Sequence, residues 1–389
     1  MSLGRSSPDA SDDLVTRGAG MLEVAAERPP VTVITGFLGS GKTTLLNRLL
    51  REPALSRAAV IINELGEIAL DHLLVATPGE NMVLLENGCI CCTVRGDLVE
   101  TLGDLHAKRS DGTLPSFDRV LIETTGIADP VPIVQSVVTD DVLARLYRLD
   151  GVVTLVDAVN GGGQLDDHVE AVKQAALADR LLITKSDLAA PDACEALAAR
   201  LARINPGAET HEVLHGAIAP EALFGAALSD PGARAHEVER WLAAQAYSHA
   251  ECAHGDGAHD AAHPHDHEIR AYCVFHDKPV TAAGLVTWLN LIAGLRGANL
   301  LRVKGLLNVE GRPVAVHAVQ TLLHEPVTLE QWPDAERRSR LVFITRNLER
   351  AELERTLAAL ELDAGGSARS GTFDAEAYAR FARVAGNFR

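Results

Sequence analysis

The sequence predicts a two-part protein: an α/β domain with a mostly parallel sheet, followed by a smaller α+β domain. Three observations carry that prediction. From Val31 onward, short aliphatic and β-branched runs alternate with helical stretches, the pattern of strands buried on both faces. A glycine-rich turn from Gly36 to Thr43 joins the first such run to the first helix. At about residues 249–267 the composition shifts to His, Asp and small residues, and strand–turn–strand patterns follow.

The elements follow in order. Residues 1–29 are polar and rich in Ser, Asp and Gly, and read as a disordered tail without the apolar core of a signal peptide. Val31-Thr-Val-Ile-Thr35 suits a buried parallel strand, and the helix opening near Lys42 carries Leu45, Leu46, Leu49 and Leu50 along one stripe. Further strands are expected at Ala59–Ile62, Met82–Leu85, Arg119–Ile122, Val152–Val156 and Arg180–Thr184. Residues 30–225 form the first domain on this reading, and 226–267 a His-rich linker. Residues 268–362 form the second domain, with 363–389 a tail. In the second domain, Ile269–Phe275 and Leu341–Thr345 read as strands, and Val280–Leu295 and Leu348–Leu360 as helices. Arg302–Val309 and Pro313–Val319 read as a hairpin turning at Glu310-Gly311-Arg312.

Composition excludes several function classes. A formal net charge of −17 opposes general binding to nucleic acid or anionic membranes, which needs basic surface. No apolar run reaches the roughly eighteen residues of a membrane span, so a cytoplasmic protein is expected. The six cysteines cluster in a way that suits metal ligation better than a disulfide framework.

Gly36-x-x-x-x-Gly41-Lys42-Thr43, between a strand and a helix, is a phosphate-binding loop of the P-loop NTPase type. Backbone N–H groups of Gly36, Gly39, Ser40, Gly41 and Thr44 can approach the phosphates at the helix N-terminus. Lys42 would reach the β- and γ-phosphates, and the Thr43 hydroxyl would ligate Mg²⁺. Thr184-Lys185-Ser186-Asp187 supplies base choice, because the Asp187 carboxylate can accept from guanine N1 and N2, donors that adenine lacks. Lys185 would pack over the base and brace the phosphate loop. GTP is therefore the expected nucleotide. Glu123 ends a strand before Thr124-Thr125-Gly126, where it can hold the Mg²⁺ hydration shell or position the attacking water. Gly126 can offer its N–H to the γ-phosphate. Competing structural readings are a helix cap for Asp187, a strand-end cap for Glu123 and a plain turn at Gly126. Asn63-Glu64-Leu65-Gly66-Glu67 follows the second strand as the expected first switch, to which Asp71 would also belong.

Cys89-Ile90-Cys91-Cys92 places three thiols within four residues. Thiolates are soft ligands that suit Zn²⁺ and Cu(I) and bind Co²⁺ or Ni²⁺ as well, so Zn²⁺ is the expected ion, with Co²⁺, Ni²⁺ or Fe²⁺ as alternatives. Three sulfurs leave one tetrahedral position for a carboxylate, His or water. A loop opening at Asn87-Gly88 would let Cys89, Cys91 and Cys92 converge, whereas a regular strand would turn Cys92 away from the others. Three buried inert thiols are the competing reading. The linker adds a looser, weak metal-loading site at His254, His259, His263, His265 and His267. Cys194 and Cys273 read as core.

The phosphate loop, Asn63-Glu64-x-Gly66-Glu67, Cys89-x-Cys91-Cys92, Glu123-x-x-Gly126 and Thr184-Lys185-x-Asp187, in this order, resemble the CobW-like P-loop GTPases. These are relatives of the hydrogenase and urease nickel-insertion GTPases and are regarded as metallochaperones. Arg302-Val-Lys304-Gly305 and the hairpin after it resemble that family's C-terminal domain, so the likeness spans residues 30–362. Within the family, Gly36-Phe-Leu-Gly39, Ala128-Asp-Pro130 and Leu155-Val-Asp157-Ala resemble the bacterial YjiA type. The resemblance implies Glu67 as fourth ligand, tying the metal to the first switch. It also implies a client metalloprotein as partner and leaves room for a homodimer. One departure is Ile62, where some relatives carry an acidic residue regarded as a metal ligand. The resulting expectation is a slow GTPase, with no arginine finger or catalytic glutamine legible, that delivers zinc to a client. Its rivals are cobalt or iron insertion for cobalamin synthesis or nitrile hydratase, and a metal buffer in which nucleotide is structural.

Overall fold

The computed structural model describes residues 28–63, 74–75, 82–85, 90–93, 98–225, 238, 269–296, 299–320, 322–324 and 326–362. Glu64, Glu67, Asp71, Cys89, the linker histidines, both long tails and most of the linker lie outside the described residues.

The first domain is built on a nine-stranded sheet. Its strands are β1 (Pro30–Gly36), β2 (Ala58–Asn63), β3 (Leu74–Val75), β4 (Met82–Leu85), β5 (Ile90–Thr93), β6 (Arg119–Thr124), β7 (Arg148–Asp157), β8 (Arg180–Thr184) and β9 (Glu209–Val213). They lie in the order β3-β4-β5-β2-β6-β1-β7-β8-β9. Every neighbouring pair from β5 to β9 is parallel. Only β3 and β4 add antiparallel pairs. Helices α1 (Lys42–Leu49), α2 (Leu98–Ser110), α3 (Val131–Thr139), α4 (Leu143–Leu146), α5 (Gly161–Asp167), α6 (Val169–Leu177), α7 (Pro191–Ile204) and α8 (Pro220–Leu223) complete the domain.

Parallel strands linked by helices are covered on both faces, and β1 is accordingly buried at every position. Alternate residues of β1 serve the two layers. Val31 and Val33 pack with Leu102, Leu105 and Val134 of α2 and α3. Ile34 packs with the Leu45, Leu46, Leu49 and Leu50 stripe of α1, as its periodicity predicts. Arg28, assigned to the tail by composition, donates from Nη1 to Ala144 O at 2.8 Å and so packs on the first domain.

All the expected strands are present, and β3, β5 and β9 join them in the first sheet. β9 reads Glu-Thr-His-Glu-Val, too polar to declare itself, because it is an edge strand with one neighbour. β5 takes in Cys91 and Cys92, while Asn87, Gly88 and Cys89, where the loop alternative was expected to open, lie outside the described residues.

The second domain is an antiparallel sheet of β10 (Ile269–His276), β11 (Leu300–Val309), β12 (Arg312–Val319), β13 (Leu322–Leu323), β14 (Val327–Thr328) and β15 (Ser339–Arg346). Its main order is β10-β15-β11-β12-β13, with β14 on β12. The hairpin falls where expected: Val309 pairs with Arg312, leaving Glu310 and Gly311 as a two-residue turn. Their φ values of 52° and 86° are the left-handed pair that matches strand twist. Helices α9 (Ala282–Arg296) and α10 (Arg350–Thr356) cover one face, where Trp288 meets Phe343 edge-on at 6.2 Å. α10 ends earlier than its apolar pattern suggests and continues as a 3₁₀ turn, Leu357–Glu361.

The two domains share a core. Ala171, Ala175 and Ala176 of α6 sit in one apolar cluster with Leu301, Val319, Ile344 and Ile269 of the second sheet. Small side chains on α6 let the second sheet approach closely.

Candidate functional site: a nucleotide site at the carboxyl edge of the sheet

The carboxyl ends of β1, β6, β7 and β8 converge, and the phosphate loop crosses them. Gly36 closes β1 with φ 143°, and a Cβ there would meet Leu155 O at 2.4 Å, so only glycine fits. Gly39, Ser40 and Gly41 continue the loop, and Ser40 is fully buried. Gly41, left-handed at φ 94°, starts α1. With no acidic residue in its first turn, α1 presents an N-terminus suited to an anion. Thr43 and Thr44 follow, both exposed at that end. Lys42 is 6% exposed and donates from Nζ to Gly36 O at 3.0 Å and Phe37 O at 3.3 Å. Its ammonium thus lies across the loop.

Thr43 and Glu123, eighty residues apart, meet: Thr43 Oγ1 donates to Glu123 Oε1 at 3.3 Å. Glu123 is 1% exposed and ends on β6, next to β1. A hydroxyl and a buried carboxylate side by side, both oxygen donors, fit Mg²⁺, a hard cation. Gly126 lies against the phosphate loop itself. A Cβ there would meet Leu38 N at 2.8 Å and Leu38 Cα at 2.9 Å. The turn after Glu123 and the phosphate loop are therefore in direct contact.

The base-selecting segment differs from expectation in one respect. Thr184, not Lys185, braces the phosphate loop, its Oγ1 donating to Ser40 O at 2.7 Å. Lys185 Nζ instead lies 2.6 Å from Asp157 Oδ2. Asp157, 1% exposed, also accepts from Val159 N, Asn160 N and Asn160 Nδ2. Burial alone would raise the Asp157 carboxyl, but the hydrogen bonds from Lys185, Asn160 and Val159 outweigh it and hold the group below its ordinary value. Asp187 sits in a 3₁₀ turn, Ser186–Leu188, with His215 Nε2 3.8 Å from Oδ2. Lys185 and His215 both adopt left-handed backbone, at φ 58° and φ 50°, the kind of strain that collects at working sites.

The fold brings the phosphate loop, Glu123, Gly126, Thr184, Lys185 and Asp187, all expected at the site from the sequence, to one edge of the sheet. Asp157, His215 and Gln174, to which the sequence reading gave no role, lie beside them. Asp157 carried a signal, an acid closing an apolar strand, while the other two are placed only by packing. Of the metal ligands, the backbone of Cys91 and Cys92 is described. Cys91 pairs with Val60 and Cys92 with Ile61 on β2, and Val83 and Met82 of β4 pair with them on the other side. Among the described residues no group of three or more His, Cys, Asp or Glu side chains could hold a metal ion. No helix among them is long and apolar enough to cross a membrane.

Comparison with known proteins fits this geometry. The profile of the CobW/HypB/UreG nucleotide-binding domain matches residues 30–212, and that of the cobalamin synthesis protein cobW C-terminal domain matches residues 269–361. The zinc chaperone YjiA of Escherichia coli K12 is 35% identical over 335 residues, covering 85% of this chain and 98% of that protein. The zinc chaperone CobW of a Sinorhizobium species is 28% identical over 368 residues, covering 85% and 97% respectively. The crystal structure of Zn(II)-bound YjiA GTPase from E. coli superposes with a TM-score of 0.67 at 33% identity, covering 86% of this chain and 99% of that one. This chain is a GTPase of the CobW/HypB/UreG family.

Proposed function

We propose that this GTPase carries a transition metal ion, zinc first, on Cys89, Cys91, Cys92 and Glu67, with β5 leaving regular strand alternation at Cys92 so that the three thiols converge on the ion, and passes it to a client protein according to the nucleotide it holds. The observation that carries the reading is the place of β2 in the sheet. On one side β2 pairs with β5, the strand of Cys91 and Cys92. On the other it pairs with β6, the strand of Glu123, with Ile62 opposite Glu123 and Asn63 opposite Thr124. The segment read as the first switch begins in the sequence at Asn63, the last residue of β2. The cysteine strand and the nucleotide-sensing strand therefore flank the strand that launches the switch. The zinc-chaperone names of two relatives aligned over most of this chain support zinc as cargo.

On this reading the chain's own groups divide the work. Lys42 and the loop N–H groups hold the phosphates, Asp187 selects guanine, and Lys185 is steadied by Asp157. Mg²⁺, held by Thr43 and Glu123, would offset charge on the phosphate oxygens. The Gly126 turn, seated on Leu38, registers the γ-phosphate, and the first switch carries Glu67 toward or away from the thiols.

The test is zinc affinity of the full chain with GDP and with GTPγS, beside a Cys89/Cys91/Cys92 triple-serine variant. The expected result is one tight site that the variant lacks and whose affinity differs at least tenfold between nucleotides. Equal affinity in both states would end the coupling reading, and a tight site surviving in the variant would end the ligand assignment. Metal analysis of protein from its own host, with partners captured alongside, separates zinc from cobalt or iron. A Lys42→Ala variant that still protects cells from metal stress would instead mark a buffer.

A further inference from the structure

Helices α5 and α6 touch both the phosphate loop and the turn after Glu123, and the same helix α6 is gripped by the second domain. Gln164 Nε2 of α5 donates to Leu38 O at 3.3 Å, and the His168 imidazole, at the α5–α6 junction, stacks on Phe37 at 4.5 Å. Both are phosphate-loop residues. Gln174 of α6, 1% exposed, donates from Nε2 to Ala128 O at 2.9 Å and Gly126 O at 3.3 Å. Lys173, its neighbour, pairs with Asp129 of the same turn. Gln174 Oε1 has no hydrogen-bond partner among the described residues, so this buried amide is held there through its donors alone.

One helical turn further on, α6 meets the second domain. Arg302 of β11 donates from Nη1 to Leu177 O, the last carbonyl of α6, and from Nη2 to Asp179 Oδ1. Lys304 Nζ adds a contact to Asp179 Oδ1 at 3.0 Å. Arg302, Lys304 and Asp179 are all buried. Asp179 Oδ2 in turn accepts from Val152 N at 3.1 Å, tying the junction to β7.

We propose that Gln174 is the positioning residue of the γ-phosphate-sensing turn, and that α6 carries the position of that turn to the second domain through Leu177 and Asp179. The physical reason is packing. The Gln174 amide fixes two peptide planes of the turn, and a side chain locked in a dense interior cannot absorb a shift by itself. A shift of the Gly126–Ala128 turn therefore moves α6, whose far end is held by the Arg302 guanidinium and whose alanine face is bedded on β11. The proposal rests on the guanine-nucleotide site and not on the metal cargo, so the two fail separately.

The experiment uses the full chain in Mg²⁺ with GDP or GTPγS, and follows amide hydrogen exchange and nucleotide affinity. In wild-type protein, amides of α6 and β11 are expected to exchange at rates differing at least threefold between the two nucleotides. Gln174→Met keeps the volume and removes both N–H donors. It is expected to bind GDP within twofold of wild type, to bind GTPγS about tenfold more weakly, and to lose the exchange difference in β11. Lys173→Met removes only the partly exposed pair with Asp129 and is expected to shrink the β11 difference by half or more, which serves if Gln174→Met does not fold. No exchange difference in wild-type β11 overturns the proposal, whatever the variants do. So does a β11 difference that survives in folded Gln174→Met or is unchanged in Lys173→Met, and so does a loss of affinity equal for GDP and GTPγS. Metal affinity is not read in this experiment, so its outcome leaves the zinc assignment untouched.

Discussion

Lys185 directs its ammonium onto Asp157 at 2.6 Å, from a backbone held at φ 58°. The carboxylate that holds it closes β7, the neighbouring strand, so the base-selecting segment is fastened across the sheet. An Asp157→Asn variant keeps the shape and removes the charge. Lys185 is 35% exposed, so the expected loss is at the low end for a charged hydrogen bond, about 1.5 kcal/mol. GDP and GTPγS are expected to bind about tenfold more weakly, by the same factor, in calorimetric titration. Wild-type affinity in the variant would show that the pair does not position the lysine.

Asp187 is expected to read guanine through two hydrogen bonds to one carboxylate. Replacing it with Asn exchanges an acceptor for a donor, which suits xanthine. Asp187→Asn is expected to lose about a hundredfold in GTP affinity and to gain XTP binding of comparable strength. Competition between the two nucleotides measures this directly, and unaltered guanine preference would overturn the assignment.

Gly126 presses against the backbone of Leu38, with 2.8 Å available where a Cβ contacts Leu38 N. A methyl group cannot be accommodated without moving the phosphate loop or the sensing turn. Gly126→Ala is expected to retain GDP binding within threefold while GTP turnover falls at least tenfold. Single-turnover hydrolysis with saturating nucleotide is the check. Full turnover in this variant would remove Gly126 from the sensing role.

The domain junction predicts a pH response. His317 and His324 stack face to face at 4.4 Å beside Arg302 and Lys304, and Asp179 acts on His324 from the same junction. Burial, together with the other imidazole, Arg302 and Lys304, holds His317 well below 6.5. Burial, with Arg302 and Lys304 outweighing the attraction of Asp179, lowers His324 to about 4. Both imidazoles are thus neutral in the fold, and above pH 6.5 neither affects stability. As pH falls from 6.5 toward 4, the unfolded chain takes up protons that the folded chain refuses, and stability drops. Asp179 acts lower still. Burial alone would raise its pKa, but Arg302 and Lys304 bring it to about 2, so its contribution is present above 3.8 and fades as pH approaches 2. Urea titrations are expected to show stability constant above pH 7 and falling by about 1–3 kcal/mol between pH 6.5 and 4.5. His324→Gln is expected to reduce that slope, and an unchanged slope would place the sensitive groups elsewhere.

Much of this protein was legible in its residues. The alternation of aliphatic runs and amphipathic stretches gave the parallel sheet, because strands covered by helices on both faces must be apolar throughout. The phosphate loop was legible because its glycines are demanded by backbone approach, which no other side chain satisfies. Glu123 and Asp187 stood out because each lies at or just beyond the carboxyl end of an apolar strand. β9 escaped notice because an edge strand can afford polar residues.

What the sequence by itself determined, then, is local: which turn is the phosphate loop of a P-loop fold, and which carboxylates stand at or just beyond the ends of apolar strands. What only the tertiary structure decided is which of these groups touch. It moved the loop brace from Lys185 to Thr184, gave Lys185 to Asp157, and set Gln174 on the sensing turn with Arg302 at the other end of the same helix. A strand or helix leaves its signature in neighbours along the chain, through side-chain periodicity and backbone preference. A contact between residues 125 positions apart, such as Arg302 with Leu177, depends on the packing of two sheets around one helix and leaves no such periodic trace.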